Sequence, residues 1–156
     1  MITREKLLGL RPGMFRSAFE LTVRYRDLDT FAHVNNAVYL SYIETGRSHY
    51  IRTLLGDEIN WKDRGFILGT NHVVYVHPLF LFDKVIVRSG VARIGERSVT
   101  FVSLVENGDG KPTAYGYAVL VAYDFENNRS IPVPEVWRRR FEKTDRFLLD
   151  YFAQKS

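Results

Sequence analysis

The chain of 156 residues has no cysteine, which removes disulfides, thiolate metal ligands and a thiol nucleophile together. Any chemistry falls to Asp, Glu, His, Ser, Tyr, Asn and the backbone. No apolar run approaches the roughly 20 residues that a bilayer-spanning helix needs, so membrane insertion is not expected. Neither a G-x-S-x-G elbow nor a Walker-type phosphate loop occurs, which argues against a serine α/β-hydrolase and a nucleotide hydrolase. Repeats, low-complexity tracts and linkers are absent as well, so residues 1–156 read as one domain. The opening stretch from Met1 to Gly13 has a short apolar patch with no small-residue cleavage site after it. That points away from a secretory signal and toward the cytoplasm. Charge of one sign is only mildly in excess: 22 Lys and Arg against 18 Asp and Glu leave +4. This favours an anionic ligand but lacks the basic tract expected of a nucleic-acid binder. Arg138, Arg139 and Arg140 are the one dense cluster and read as the solvated side of a helix.

What is present is periodic. From Phe19 to Tyr25 the apolar residues Phe19, Leu21, Val23 and Tyr25 alternate with polar ones, the pattern of a half-buried strand. A helical stretch of roughly 20 residues follows the polar segment RDLDTFAHVNN and stops at Gly56. Its only formal charges are Glu44, Arg47 and Arg52, so it is expected to be largely buried. Gly46 sits in its middle, where glycine costs about 1 kcal/mol relative to alanine. A sheet that approaches the helix closely is the simplest reason. Phe66 to His77, Lys84 to Ile94, Arg97 to Asn107 and Thr113 to Phe125 read as strands, the last three as an antiparallel meander. Gly95 and Glu96 suit a type II′ turn, and Asn107 to Lys111 a longer one. The last strand puts Ala114, Gly116, Ala118 and Ala122 on one face and Tyr115, Tyr117 and Tyr123 on the other. The aromatic face calls for cover by a partner subunit or the C-terminal segment. A final helix begins near Pro134, with Trp137, Phe141, Leu148 and Phe152 on one side. The class is α+β.

Polar residues concentrate where the first strand ends and the long helix begins. A helix's first N–H groups lack intrahelical partners and carry partial positive charge, so backbone alone can hold an acyl oxygen there. Asn35 is a natural N-cap, which leaves the amides of Asn36 and Ala37 toward the incoming loop and Asp29. The run D-x-x-x-H-V-N-N-A-x-Y-L-x-x-x-E-x-x-R from Asp29 to Arg47 resembles the hot-dog-fold acyl-CoA thioesterases of the 4-hydroxybenzoyl-CoA thioesterase-like group, including its long-chain branch. The resemblance implies a long central helix wrapped by a curved antiparallel five-stranded sheet, with a C-terminal helix. It implies that Asp29 is the catalytic carboxylate, as general base or nucleophile, and that the Asn36 amide polarises a thioester carbonyl. It also implies a homodimer or homotetramer with active sites at the subunit interface, and hydrolysis of acyl-CoA without a cofactor. Plant-type acyl-carrier-protein thioesterases, similar here, have an Asn two residues before the His. This chain has Phe31, which points away from that branch and offers an acyl contact. Asn35, Ala37 and Tyr39 are the other candidate substrate contacts.

Plainer roles stand beside these. Asp29 suits a turn, Asp27 a solvated or structural carboxylate, and His33 either an ordinary loop histidine or a group that orients water or touches substrate. Glu44 lies about 12 Å along the axis from Asn36 and reads as a partner of Arg47 or a contact across a dimer. His72 and His77 point to opposite faces of a strand, and no metal site is expected. Lys84, Arg88, Arg93 and Arg97 either grip CoA phosphates or guard a sheet edge. The rival readings are a hot-dog hydroxyacyl dehydratase and a non-catalytic acyl-thioester-binding protein.

Overall fold

The computed structural model describes residues 1–60 and 62–154. Its long helix α2 spans Asn36–Leu55 and its main strands are β1 (Ser17–Thr22), β2 (Arg64–Tyr75), β3 (Lys84–Ile94), β4 (Ser98–Asn107) and β5 (Pro112–Asp124). The strands form one antiparallel sheet in the order β1-β3-β4-β5-β2, with β3, β4 and β5 as the expected meander. This is the hot-dog arrangement, with α2 packed on one face of the sheet. A two-residue strand β6 (Arg129–Ser130) adds to β5 and makes the sheet six-stranded rather than five.

Local chemistry explains α2. The Asn35 side chain caps its start by accepting from the Ala37 N–H at 2.8 Å, and Gly56 ends it at φ 53°, where a side chain is disfavoured. Gly46 is a steric requirement, because a Cβ there would lie 2.5 Å from Cγ1 of Val87 in β3. Ala114, Gly116, Ala118 and Ala122 of β5 form the small inward face, and a Cβ on Gly116 would stand 2.9 Å from the His72 carbonyl oxygen. The helix is less buried than its shortage of charge suggests. Tyr39, Tyr42, Ile43, Gly46, Arg47, Tyr50, Ile51 and Leu55 are inside, whereas Leu40 and Glu44 face solvent. Glu44 and Arg47 do not reach ion-pair distance, and Arg47 Nη1 is buried without a hydrogen-bond partner among the described residues. Burial lowers the Arg47 pKa, against the opposing charge of Glu44.

The outward aromatic face is covered in part by the chain's own ends. A short helix α1 (Arg4–Leu8), not foreseen, brings Leu7 and Leu10 against Tyr115 together with Leu148 of the C-terminal segment. The ends hold each other: Lys6 Nζ donates to the carbonyls of Phe152 and Gln154, and the Tyr151 hydroxyl donates to the Lys6 carbonyl at 3.1 Å.

Three expectations are corrected. β1 stops at Thr22: Val23 donates its N–H to Asp83 O and accepts from Phe82 N–H, and Tyr25 then lies exposed in a 3-10 turn with Arg26 and Asp27. The β3–β4 turn is centred on Glu96 and Arg97, closed by Gly95 N–H donating to Ser98 O at 2.7 Å; Gly95 does not take the positive φ a type II′ turn requires. The final helix is two helices, α3 (Glu135–Thr144) and α4 (Arg146–Ala153), broken at Asp145. The Asp145 carboxylate is buried and accepts from the Tyr50 hydroxyl and from Val91 N–H at 2.9 Å, and this anchors the break to α2 and β3.

Candidate active site

The loop before α2 is a tight excursion fixed at its base. Leu28 bridges Val34, Asp29 N–H donates to His33 O at 3.0 Å, and Ala32 N–H returns to Asp29 O at 3.1 Å. Closing so short a loop forces Ala32 to φ 62°, a conformation that a residue with a Cβ seldom adopts. The segment from Leu79 to Asp83 buttresses the loop. Val34 N–H donates to Leu79 O at 2.9 Å, His33 bridges Phe80, and Phe82 is itself at φ 67°.

Asp27 is the foundation. Its buried carboxylate receives Arg24 at 3.0 Å, the Arg24 N–H at 2.9 Å and the Tyr42 hydroxyl at 2.7 Å. Burial pushes its pKa up, but these donors outweigh burial and hold it below the ordinary carboxylate value. It is a structural carboxylate that ties the loop to α2, not a solvated one.

Asp29 and His33 come together. His33 Nδ1 stands 3.8 Å from Asp29 Oδ1, and that same oxygen accepts from Phe31 N–H at 2.8 Å. The turn role expected for Asp29 is therefore real and occupies one carboxylate oxygen. Oδ2 has no protein partner among the described residues. Phe31 is exposed and stacks on His33 with centroids 6.1 Å apart, and Phe80 meets the same ring edge-on at 6.3 Å.

At the helix start the two expected amides part company. The Ala37 N–H is engaged by the Asn35 cap, which corrects its assignment as a free donor, whereas no acceptor for the Asn36 N–H occurs among the described residues. Beside it lies a cleft of about 240 Å³ whose walls include His33, Asn36, Tyr39, Tyr75 and His77. The Tyr75 hydroxyl donates to Asn36 O at 2.8 Å and the Tyr39 hydroxyl to His77 O at 3.2 Å. Burial pushes the Tyr39 pKa up to about 12 and raises that of Tyr75. Both phenols are thus proton donors at neutral pH.

Sequence reading missed Tyr75, His77 and Phe80. They arrive from the far end of β2 and the segment after it, where β2 stops at Tyr75 rather than His77 because Val76 and His77 both turn their N–H groups to Thr113 O. Glu44 takes no part in the cleft. No group of three or more His, Asp and Glu side chains able to hold a metal ion occurs among the described residues, nor is any helix long and apolar enough to cross a membrane.

Comparison with known proteins gives a consistent picture. Residues 23–141 match the family model described as the thioesterase-like superfamily. A Thermus thermophilus thioesterase solved with coenzyme A and zinc superposes with a TM-score of 0.75 at 34% identity, covering 84% of this chain and 95% of that one. A chloroplastic acyl-acyl carrier protein thioesterase of Arabidopsis thaliana is 26% identical over 140 residues, 85% of this chain and 72% of that protein. The long-chain acyl-CoA thioesterase FadM of Escherichia coli is 22% identical over 128 residues, 80% of this chain and 96% of that protein.

Proposed function

The chain belongs to the thioesterase-like superfamily, and we propose that it is a single-domain, cytoplasmic enzyme that hydrolyses an acyl-CoA thioester to a free acid and coenzyme A. The observation that carries this reading is the pairing of an unengaged Asn36 N–H at the start of a 20-residue helix with a carboxylate, Asp29, in the loop that leads into it. The thioester oxygen docks on the Asn36 N–H, where the developing oxyanion meets the positive end of α2. Asp29, held by the Phe31 N–H through Oδ1, uses Oδ2 either to draw a proton from water or to attack the carbonyl carbon itself. The C–S bond then breaks, hydroxyl ends on the acyl group and a proton ends on the CoA sulfur. His33 lies against Asp29 and orients the water. Phe31, Asn35 and Tyr39 shape the acyl and pantetheine path, and Ala37 contributes its exposed methyl rather than its amide.

No metal enters this scheme. A zinc site takes three or four protein ligands, and Asp29 with His33 supplies two, so the zinc of the Thermus protein is not carried over. Assembly is part of the proposal. β2 is a 12-residue strand paired only with β5 among the described strands, and it leaves Ile67, Leu68 and Tyr75 exposed along a free edge. Light scattering should give at least twice the 18.2 kDa chain mass; a monomer mass would remove the interface from the scheme.

The relatives divide between CoA and carrier protein as the thiol. The deciding assay offers acyl-CoAs of several lengths, and the same acyl groups on acyl carrier protein, to the purified protein with a thiol-trapping dye. The expected result is thiol release from the CoA series. Release from the carrier protein alone would transfer the activity to that branch, and release from neither would leave an acyl-thioester-binding protein.

A further inference from the structure

The sheet face turned away from α2 holds a cavity of about 590 Å³, larger than the cleft at the helix start. Arg93 of β3 pairs in register with Thr100 of β4, and Thr100 with Val119 of β5, which makes one row across its floor. The register shift between Val91 and Arg93 inserts Ala92 and turns Arg93 onto this face. Leu149, Phe152 and Ala153 of α4 form the roof, so the cavity is a gap under the C-terminal helix, not an open sheet surface.

Its chemistry is lopsided. The walls are mainly aliphatic and aromatic, and Arg93 is the one cationic side chain among them. Among the four basic residues of the β3–β4 hairpin, Lys84 meets Glu20 at 3.5 Å, Arg88 meets Glu106 at 2.5 Å and Arg97 meets Glu96 at 3.9 Å. Arg93 has neither an ion pair nor a hydrogen bond among the described residues. The one acid in the lining, Asp150, is already met by Arg146 at 3.5 Å.

We propose that this cavity is a second ligand site, taking a long-chain monocarboxylate of the fatty-acid class with its chain beneath α4 and its carboxylate on Arg93. The volume lies within the range of about 300–1,000 Å³ usual for small-molecule sites. A guanidinium binds a carboxylate through two parallel hydrogen bonds, and the Thr100 hydroxyl stands next to it in the row as a further donor. One guanidinium over apolar walls matches one anionic head and one alkyl chain; it does not match the several phosphates of coenzyme A. The ligand class coincides with the acid that the proposed hydrolysis releases, but the site stands without that reading, since it shares no residue with the cleft at the helix start.

Titrating dodecanoate, below its micelle concentration, into full-length protein labelled at Ile, Leu and Val methyls tests this by NMR. Saturable shifts are expected at Ile94, Val119 and Leu149. Arg93→Gln should weaken dodecanoate about tenfold or more, as for loss of a charge-assisted hydrogen bond, and leave dodecanol unchanged. Ala153→Trp, a substitution at an exposed position on the roof, should abolish binding of both, and Asp29→Asn should alter neither. Shifts confined to Val34 and Val76, which line the first cleft, would assign the acid there and overturn the proposal. So would equal weakening of acid and alcohol by Arg93→Gln, movement of Ile94, Val119 and Leu149 by coenzyme A alone, or concentration-dependent broadening of those three without ligand, which would show a second copy filling the cavity. Thiol-release assays on the same samples report separately on hydrolysis.

Discussion

The two ends of α2 are built to different standards. At its C-terminal end Tyr50, Ile51 and Leu55 sit among Phe66, Phe101, Trp137 and Phe141, all buried, with ring centroids as close as 4.9 Å. Most polar groups there find partners: the Trp137 indole donates to Glu58 O at 2.9 Å, and the Tyr50 hydroxyl finds Oδ2 of Asp145, whose Oδ1 alone is buried without a hydrogen bond among the described residues at this end. At the N-terminal end Phe31 and Phe82 are 77% and 76% exposed, and Ala32 and Phe82 hold positive φ. Strained backbone and uncovered apolar surface persist only where something else selects for them. The C-terminal end holds the chain folded, and the N-terminal end holds the groups proposed to react.

Phe141→Ala should produce the largest effect if that division is real. Emptying a fully buried aromatic position costs about 3–5 kcal/mol, read by urea unfolding, while kcat of the protein that remains folded stays unchanged. A fall in kcat without unfolding would show that the two ends are coupled.

Asp145 sharpens the contrast, because it is a carboxylate buried in the packed end. Burial pushes its pKa up to about 6, against the hydrogen bonds from Tyr50 and Val91 and the charge of Arg16. The folded state therefore holds a proton that the unfolded chain releases near 3.8. The stability from this group is present below that pH and is lost as pH rises toward about 6. Asp27 acts in the opposite sense, since its lowered pKa gives stability that is lost in acid. Asp145→Asn isolates the first effect. The amide oxygen keeps both bonds, and the variant should gain on wild type by up to about 3 kcal/mol between pH 4 and 6 and by nothing more above that. A difference that does not vary with pH would remove Asp145 from the titration.

Asp29→Asn belongs to the other end. The amide oxygen still accepts from Phe31 N–H, so the loop should persist and unfolding should be unaltered. kcat should fall by about 10², or about 2.7 kcal/mol. Unchanged turnover would take Asp29 out of the reaction and leave it a turn residue.

How far each end could be read in advance follows from how local its determinants are. The Asn35 cap, the Gly56 stop and the mid-helix glycine at Gly46 are written in α2 and its immediate flanks, and the alternation in β5 follows from period two alone. The break at Asp145 escaped because it depends on Tyr50 and Val91, 95 and 54 residues away. The site divides in the same way. Asp29, His33 and Asn36 lie in one short run, whereas Tyr75 and His77 reach the cleft only through the pairing of β2 and its continuation with β5, and Phe80 reaches His33 through a bridge beyond it. The burial of Asp27 could not be read without Tyr42, its partner in space.

The smallest effect concerns strain. Holding a residue with a Cβ at positive φ costs roughly 1–2 kcal/mol, and glycine removes that cost but loses about 0.4–1 kcal/mol through greater freedom in the unfolded chain. Ala32→Gly should therefore stabilise the protein by about 0.5 kcal/mol. Asn128, at φ 49° in the turn before β6, offers the matched control. Asparagine tolerates that region better, so Asn128→Gly should change stability by less, within about 0.5 kcal/mol, and should leave turnover alone. The two substitutions part company in activity. Ala32 closes the loop through its N–H bond to Asp29 O, and a glycine there widens the range of positions open to the Asp29 carboxylate. The expected result is a fewfold drop in kcat with KM nearly unchanged, in a protein slightly more stable than wild type. If both variants keep full turnover, the positive φ at Ala32 is a by-product of a short loop, and the contrast between the two ends rests on exposure alone.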